Sequence, residues 1–350
     1  MDAQAEGSNV KVEAAAETRI IRETNRALWM RRAKTLAPVW TLLAMWLFFG
    51  VVTPSFFTAA NFNNILSQVA TAGILAVGMT FVLLTGEIDL SIAAVMAVAG
   101  EVSVWFYRVF GLPEPIPLIA GILTGLLCGM GSGLVSTTMR VPTFMATLAM
   151  SLIAEGLSLW VARGRQFFQN EISPLTLWIG TARIGGEDGL RQGVMILLCA
   201  LCLLVGYLVL RYTRYGRYVY MSGANPSAAR LAGINTKLIV FSVLTISGFT
   251  AGIAGVAAQG RLGTAMPQAQ AGFLIQAIAV VVLGGTSLTG GRGGMWQTAV
   301  GLLIYGSLTN GLDNVANIDI FAKTLITGLV LLGALVVNIV FAGRAERDRT

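Results

Sequence analysis

Residues Ile116 to Thr138 read IPLIAGILTGLLCGMGSGLVSTT, a stretch without one charged side chain. As a helix rising about 1.5 Å per residue it is about 35 Å long, enough to cross a hydrocarbon core of about 30 Å. Gly121, Gly125, Gly129 and Gly133 recur every four residues within it. That spacing puts them on one face, where small residues let helix backbones approach closely in lipid. Gly248, Gly252 and Gly255 form a second such stripe further along. Both read as seams of a helix bundle; the functional alternative is a seam along which the helices slide.

The same signature recurs outward from this stretch. Apolar runs lie at about 37–52, 64–85, 90–107, 116–138, 143–161, 193–210, 238–258, 271–285, 295–312 and 322–342. Apolar residues make up 55% of the 350-residue chain and charged residues 12%. Soluble domains carry roughly 25% charged residues, so this chain cannot cover a globule of its size with a water-soluble surface. The expected fold is all-α, a polytopic membrane protein of about ten transmembrane helices. Three segments follow: an N-terminal tail at 1–36, a transmembrane domain at 37–342 and a C-terminal tail at 343–350.

An even number of spans places both tails on one side. With both inside, 17 of the 24 Lys and Arg fall in the tails and inner loops and six in outer loops, with Lys323 at a border. This is the bias the positive-inside rule requires, so both termini are expected in the cytoplasm. The tail at 1–36 has no early apolar core and is not read as a cleavable signal peptide. The longest outer segment, about 162–192, is too long for a tight turn; it is either self-packed or disordered, or it meets an external partner.

Several chemistries are absent. Histidine is missing altogether, which removes His-based acid–base catalysis, Ser-His and Cys-His nucleophile pairs and His metal sites. Cys128, Cys199 and Cys202 all sit in apolar runs and read as small packing residues. None of Lys11, Lys34, Lys237 and Lys323 follows a glycine, so no Walker A motif can be written. No cofactor or metal is expected in the chain, and it is not read as an enzyme.

Three polar stretches remain. In Thr85-Gly86-Glu87-Ile88-Asp89-Leu90-Ser91 two acids occupy a short connection. Asp89 is either a helix N-cap, favoured there by the macrodipole, or part of a gate. Glu101 and Glu155 stand inside apolar runs, where charge is expensive and faces a cavity or partner unless it lies near an interface. The second stretch, 211–237, holds five basic residues and no acid. Asn225 fits an N-cap, Pro226 the first helical position, Ala228, Ala229 and Arg230 the body, and Gly233 the αL stop. A two-turn helix is not stable alone; it must rest on the bundle or on another protein, while the basic residues also suit anionic headgroups. The third, Gly284 to Gly294 with Thr286 and Ser287, interrupts an apolar run with freely bending backbone, tolerated at membrane depth only where it is buried or lines a cavity.

These stretches, in this order, resemble the membrane-spanning permease of bacterial ABC sugar importers of the ribose, arabinose, xylose and galactose type. The resemblance rests on Gly86-Glu87-Ile88-Asp89-Leu90-Ser91, on Val141 to Leu148 (VPTFMATL), on Gly216-Arg217-Tyr218 through Gly223, Asn225, Ala228, Ala229 and Gly233-Ile234-Asn235, and on Gly284 to Gly293. It covers about residues 38–340. Glu87 departs from it, standing where the family has glycine. The resemblance implies two permease copies, a cytoplasmic ATP-binding subunit that carries ATP and Mg, and a periplasmic sugar-binding protein. No nucleic-acid partner is expected. The implied location is the bacterial inner membrane and the cargo a monosaccharide or sugar alcohol. By position, Gly216, Arg217, Gly223, Asn225, Pro226, Ala228, Ala229, Arg230 and Gly233 would couple to the ATPase. Glu87, Asp89, Ser91, Glu101, Gly284, Gly285, Thr286 and Ser287 would line or gate the pathway. The alternatives are an ion-gradient-driven secondary transporter and an ABC permease for nucleosides or amino acids.

Overall fold

The computed structural model describes residues 36–185, 189–265, 267, 271–315 and 319–347. Most of the expected tail at 1–36, and residues 348–350, lie outside the described residues. The chain is a helix bundle. Its helices are α1 (Ala37–Val52), α2 (Ala59–Leu84), α3 (Ile92–Arg108), α4 (Ile116–Thr138), α5 (Thr143–Ala162), α6 (Pro174–Thr181) and α7 (Gly193–Tyr212). There follow α8 (Arg214–Ala224), α9 (Pro226–Leu231), α10 (Thr236–Leu262), α11 (Ala271–Leu283), α12 (Met295–Asn314) and α13 (Ile320–Arg347). Each of the ten apolar runs coincides with one long helix. Five of these, α2, α4, α5, α7 and α10, are both long and apolar enough to cross a membrane. The only β-structure among the described residues is a two-stranded ribbon, β1 (Phe167–Phe168) antiparallel to β2 (Thr264–Ala265), and one isolated bridge, Ile184 with Leu190.

α2 is the central element. Twenty of its 26 residues are buried, and its middle contributes Ile74, Leu75, Met79 and Leu83 to the largest apolar cluster. Helices at the outside of the bundle carry large exposed apolar side chains, such as Leu127 on α4 and Leu152 and Trp160 on α5. Such a surface needs an apolar medium or partner.

The two glycine stripes face each other. A Cβ on Gly125 would lie 2.4 Å from the Gly248 carbonyl oxygen and 2.6 Å from the Gly252 nitrogen; one on Gly129 would lie 2.5 Å from the Leu244 carbonyl oxygen. α4 and α10 therefore touch backbone to backbone, as the small-residue spacing predicts. Cys128 and Cys199 are buried and, like Cys202, unoxidised; the Cys199 sulfur fills the space beside Gly73.

The long segment near 162–192 is self-packed where it is described. β1 pairs with β2 just beyond the end of α10, and α6 lies so close to α10 that a Cβ on Gly180 would fall 2.0 Å from the Arg261 nitrogen. Glu171 accepts two hydrogen bonds from Arg165, at 2.9 and 3.1 Å, and lies 3.6 Å from the Arg108 guanidinium. Those bonds from Arg165 hold the Glu171 carboxyl below its ordinary value, and the Arg165 guanidinium also covers the Phe167 ring at 4.5 Å. α10 thus runs from the β-ribbon end of the bundle to the end that carries α8 and α9.

Candidate functional site

At the α9 end, the four stretches that carry the family resemblance come together. The turn 85–91 joins α2 to α3, and Asp89 within it is buried. Its Oδ1 accepts from the Ser91 backbone N–H at 2.8 Å and from the Ser91 hydroxyl at 2.6 Å. Its Oδ2 accepts from the Ser247 hydroxyl on α10, also at 2.6 Å. The N-cap position of α3 is Ser91, so Asp89 stands two residues earlier than the N-cap reading places it. It bonds across the junction rather than only to its own helix. The Leu90 N–H donates to the Thr147 hydroxyl at 3.1 Å, which ties the turn to α5 and so to the 141–148 stretch.

On its other side the turn meets the glycine-rich loop. The Gly291 N–H donates to the Leu84 carbonyl at 2.9 Å. Gly223, in the last turn of α8, closes the contact: a Cβ there would lie 1.9 Å from the Leu84 carbonyl oxygen and 2.9 Å from the Gly291 nitrogen. Gly290 approaches both Gly86 and Gly223 with φ of 85°, a left-handed conformation that glycine adopts at low cost. The Tyr220 hydroxyl donates to the Gly293 carbonyl at 2.9 Å, and burial pushes that phenol above its ordinary value. Within the loop, Thr286 is fully buried and its hydroxyl accepts from the Gly294 N–H at 3.3 Å. The Ser287 N–H donates to the Arg292 carbonyl at 3.0 Å. Gly284 packs on α12, where a Cβ would lie 2.0 Å from the Gln297 carbonyl oxygen, whereas Gly285 is exposed.

The short helix forms as its sequence predicts. The Asn225 side chain accepts from the Ser227 and Ala228 N–H groups at 3.1 and 3.0 Å. Pro226 opens α9, and Gly233 ends it with φ of 82°. Its anchor is Ala229, which is 1% exposed and packs in a cluster with Phe81, Val219, Ile234, Ile239 and Val243. Every other residue of α9 is exposed, Leu231 at 92%. Around it Arg211, Arg214, Arg217, Arg230 and Lys237 are all exposed. None of them forms an ion pair among the described residues.

The sequence-predicted residues therefore divide. Asn225, Pro226, Ala228, Arg230, Gly233 and Arg217 present an outer face, whereas Gly216, Gly223 and Ala229 point into the protein and hold that face in place. Asp89, Ser91, Thr286 and Ser287 are buried in the junction, and Glu87 is half-buried at its edge. Glu101 is not brought there. It sits ten residues beyond Ser91, fully buried, with one carboxylate oxygen bonded to the Ser158 hydroxyl of α5 and the other without a partner. Glu155 is half-buried on α5. Ser247, Thr147 and Tyr220 are junction partners not singled out from the sequence; Thr147 and Tyr220 carried a signal, since they lie in the quoted 141–148 and 216–223 stretches, and Ser247 carried none. No group of three or more His, Cys, Asp or Glu able to hold a metal occurs among the described residues.

The chain is 35% identical to the ribose import permease protein RbsC of Escherichia coli K12 over 314 residues, covering 89% of this chain and 94% of that one. It is 33% identical to the fructose import permease protein FrcC of Rhizobium meliloti, covering 89% and 86%. It is 31% identical to the xylose transport system permease protein XylH of Escherichia coli K12, covering 83% and 88%. A solved inward-facing ABC transporter of metal-chelate type superposes with a TM-score of 0.51 at 14% identity, covering 87% of this chain and 99% of that one, a likeness of fold alone. The profile of the branched-chain amino acid transport system / permease component family matches residues 61–339, which include every stretch of the junction, and the chain belongs to that family.

Proposed function

We propose that this chain is the permease subunit of an ATP-driven importer that moves a monosaccharide or sugar alcohol across the bacterial inner membrane. The relatives named for ribose, fructose and xylose support the cargo class. Two copies form the pathway, each crossing the membrane ten times with both termini in the cytoplasm. A separate ATP-binding subunit holds ATP and Mg, and a periplasmic binding protein delivers the sugar. The single observation that carries this reading is α9: a six-residue helix, exposed on every residue but one, that directly follows α8, whose Gly223 and Ala224 pack on Leu84 and the glycine-rich loop. An exposed leucine in a stretch that also carries five exposed basic residues suits an apolar groove with an acidic rim on a soluble partner.

Force on α9 has a short route inward. Asn235 caps α10 directly after α9, its side chain accepting from the Leu238 N–H at 3.1 Å. α10 carries Ser247, whose hydroxyl holds Asp89. A displacement of α9 moves α10, and through Asp89 it moves the turn between α2 and α3. The chain itself supplies no hydrolysis step.

The test is uptake of D-ribose, D-fructose and D-xylose by right-side-out vesicles that contain the whole importer. ATP-dependent uptake of at least one of them, insensitive to ionophores, is expected. Uptake that collapses when ion gradients are dissipated would replace this reading with the secondary transporter.

A further inference from the structure

At the opposite end of the bundle, a cavity of about 210 Å³ opens between the start of α2, the end of α10 and the residues just before α7. Asn64, Ser67, Gln68, Arg191, Gln192 and Arg261 line it. All six are polar and none is acidic. The Arg261 Nε–H donates to the Gln192 Oε1 at 3.1 Å, and no carboxylate meets either guanidinium among the described residues. The side chains of Asn64, Gln68 and Arg191 make no hydrogen bond among the described residues.

The framework of this cavity is built. The Ser67 hydroxyl donates to the Arg191 carbonyl at 3.1 Å, and the Asn63 amide, in its better orientation, brackets the same residue's N–H and carbonyl at 2.8 and 3.1 Å. Gln192 holds a left-handed backbone with φ of 55°, a conformation costly for a residue other than glycine and found where surrounding structure fixes a side chain for use. That conformation accompanies the hydrogen bond between the Gln192 amide and Arg261. The amides offer donors and an acceptor and the guanidinium groups offer paired donors, which together complement hydroxyls that both donate and accept. The volume lies below the roughly 300–1,000 Å³ of pockets for drug-sized ligands.

We propose that this cavity binds a hydroxyl-rich solute of monosaccharide size, with Gln68, Arg261 and its partner Gln192 as the groups that meet the hydroxyls. The inference rests on the sugar-importer reading above. It adds a recognition site on the permease itself, at the far end of the helix that begins beside α9.

The experiment is saturation-transfer NMR on the purified permease–ATPase complex, without the binding protein, with D-ribose, D-fructose and D-xylose as probes. At least one sugar is expected to give a signal that falls fivefold or more in Gln68→Ala and in Arg261→Gln. Gln68→Asn, which keeps the amide, should retain part of it, and co-purification of the ATPase shows that each variant is folded. An undiminished signal in both variants, or no signal from a sugar that wild-type vesicles import, overturns the site while leaving the importer reading intact. Failure of wild-type vesicles to import any sugar with ATP overturns both.

Discussion

At the scale of single residues, the junction turns on Asp89. Three hydrogen bonds from Ser91 and Ser247 hold its carboxylate. Ser247→Ala removes the only one that crosses to α10, and leaving a buried acceptor short of a donor costs about 1–3 kcal/mol. We expect a lower unfolding midpoint in detergent by that order, and a larger loss of transport than of ATPase activity, because the bond lies between α10 and the 85–91 turn. Equal loss of both, or of neither, would remove Ser247 from the coupling route. Gly223 tests the same junction by shape. Gly223→Ala places a methyl group 1.9 Å from the Leu84 carbonyl oxygen, so the protein should fail to accumulate in the membrane, as a Western blot of membranes would record. Glycines at 223 and 290 were legible in the sequence only as resemblance; their reason, a three-way backbone contact, is a tertiary fact. Ser247 carried no local signal, being one serine in an apolar helix.

At the scale of elements, α9 was readable from Asn225, Pro226 and Gly233 because capping chemistry is local. Which of its faces points outward was not, since Ala229 is distinguished from Ala228 only by the cluster beneath it. That distinction changes the choice of variant. Ala229→Asp would bury a charge among apolar side chains and detach α9, so its loss of coupling would say nothing about docking. Gly233→Val strains a left-handed position with open space around it, and we expect a protein that inserts and binds its ATPase but couples poorly, seen as ATP hydrolysis without uptake. The segment after α5 is an element of another kind. Hydrogen bonds from Arg165 hold Glu171 ionised, so the stability it lends is present above the ordinary carboxyl value of 4.5 and is lost as pH falls below it. Hydrogen exchange of residues 162–185, corrected for intrinsic rate, should therefore quicken on acidification below 4.5. Glu171→Gln should show the quickened rate already at neutral pH.

At the scale of the whole molecule, the ten apolar runs and the two glycine stripes were legible because lipid imposes length and close packing imposes small residues. The convergence of four separated stretches on one point was not, because nothing in a linear pattern states which turns of a bundle share an end. The central claim is that a soluble ATPase docks on α9 and drives the gate turn through α10. The most direct measurement is native mass spectrometry of the protein purified from its own host in mild detergent, beside Leu231→Asp, which places a charge on the 92% exposed tip of α9 without touching the core. The account predicts that the wild type carries two permease copies with a soluble chain bearing two Walker A motifs, and that Leu231→Asp inserts normally and loses that chain. A permease that purifies without any ATPase, or a Leu231→Asp variant that keeps it in full, would contradict the account.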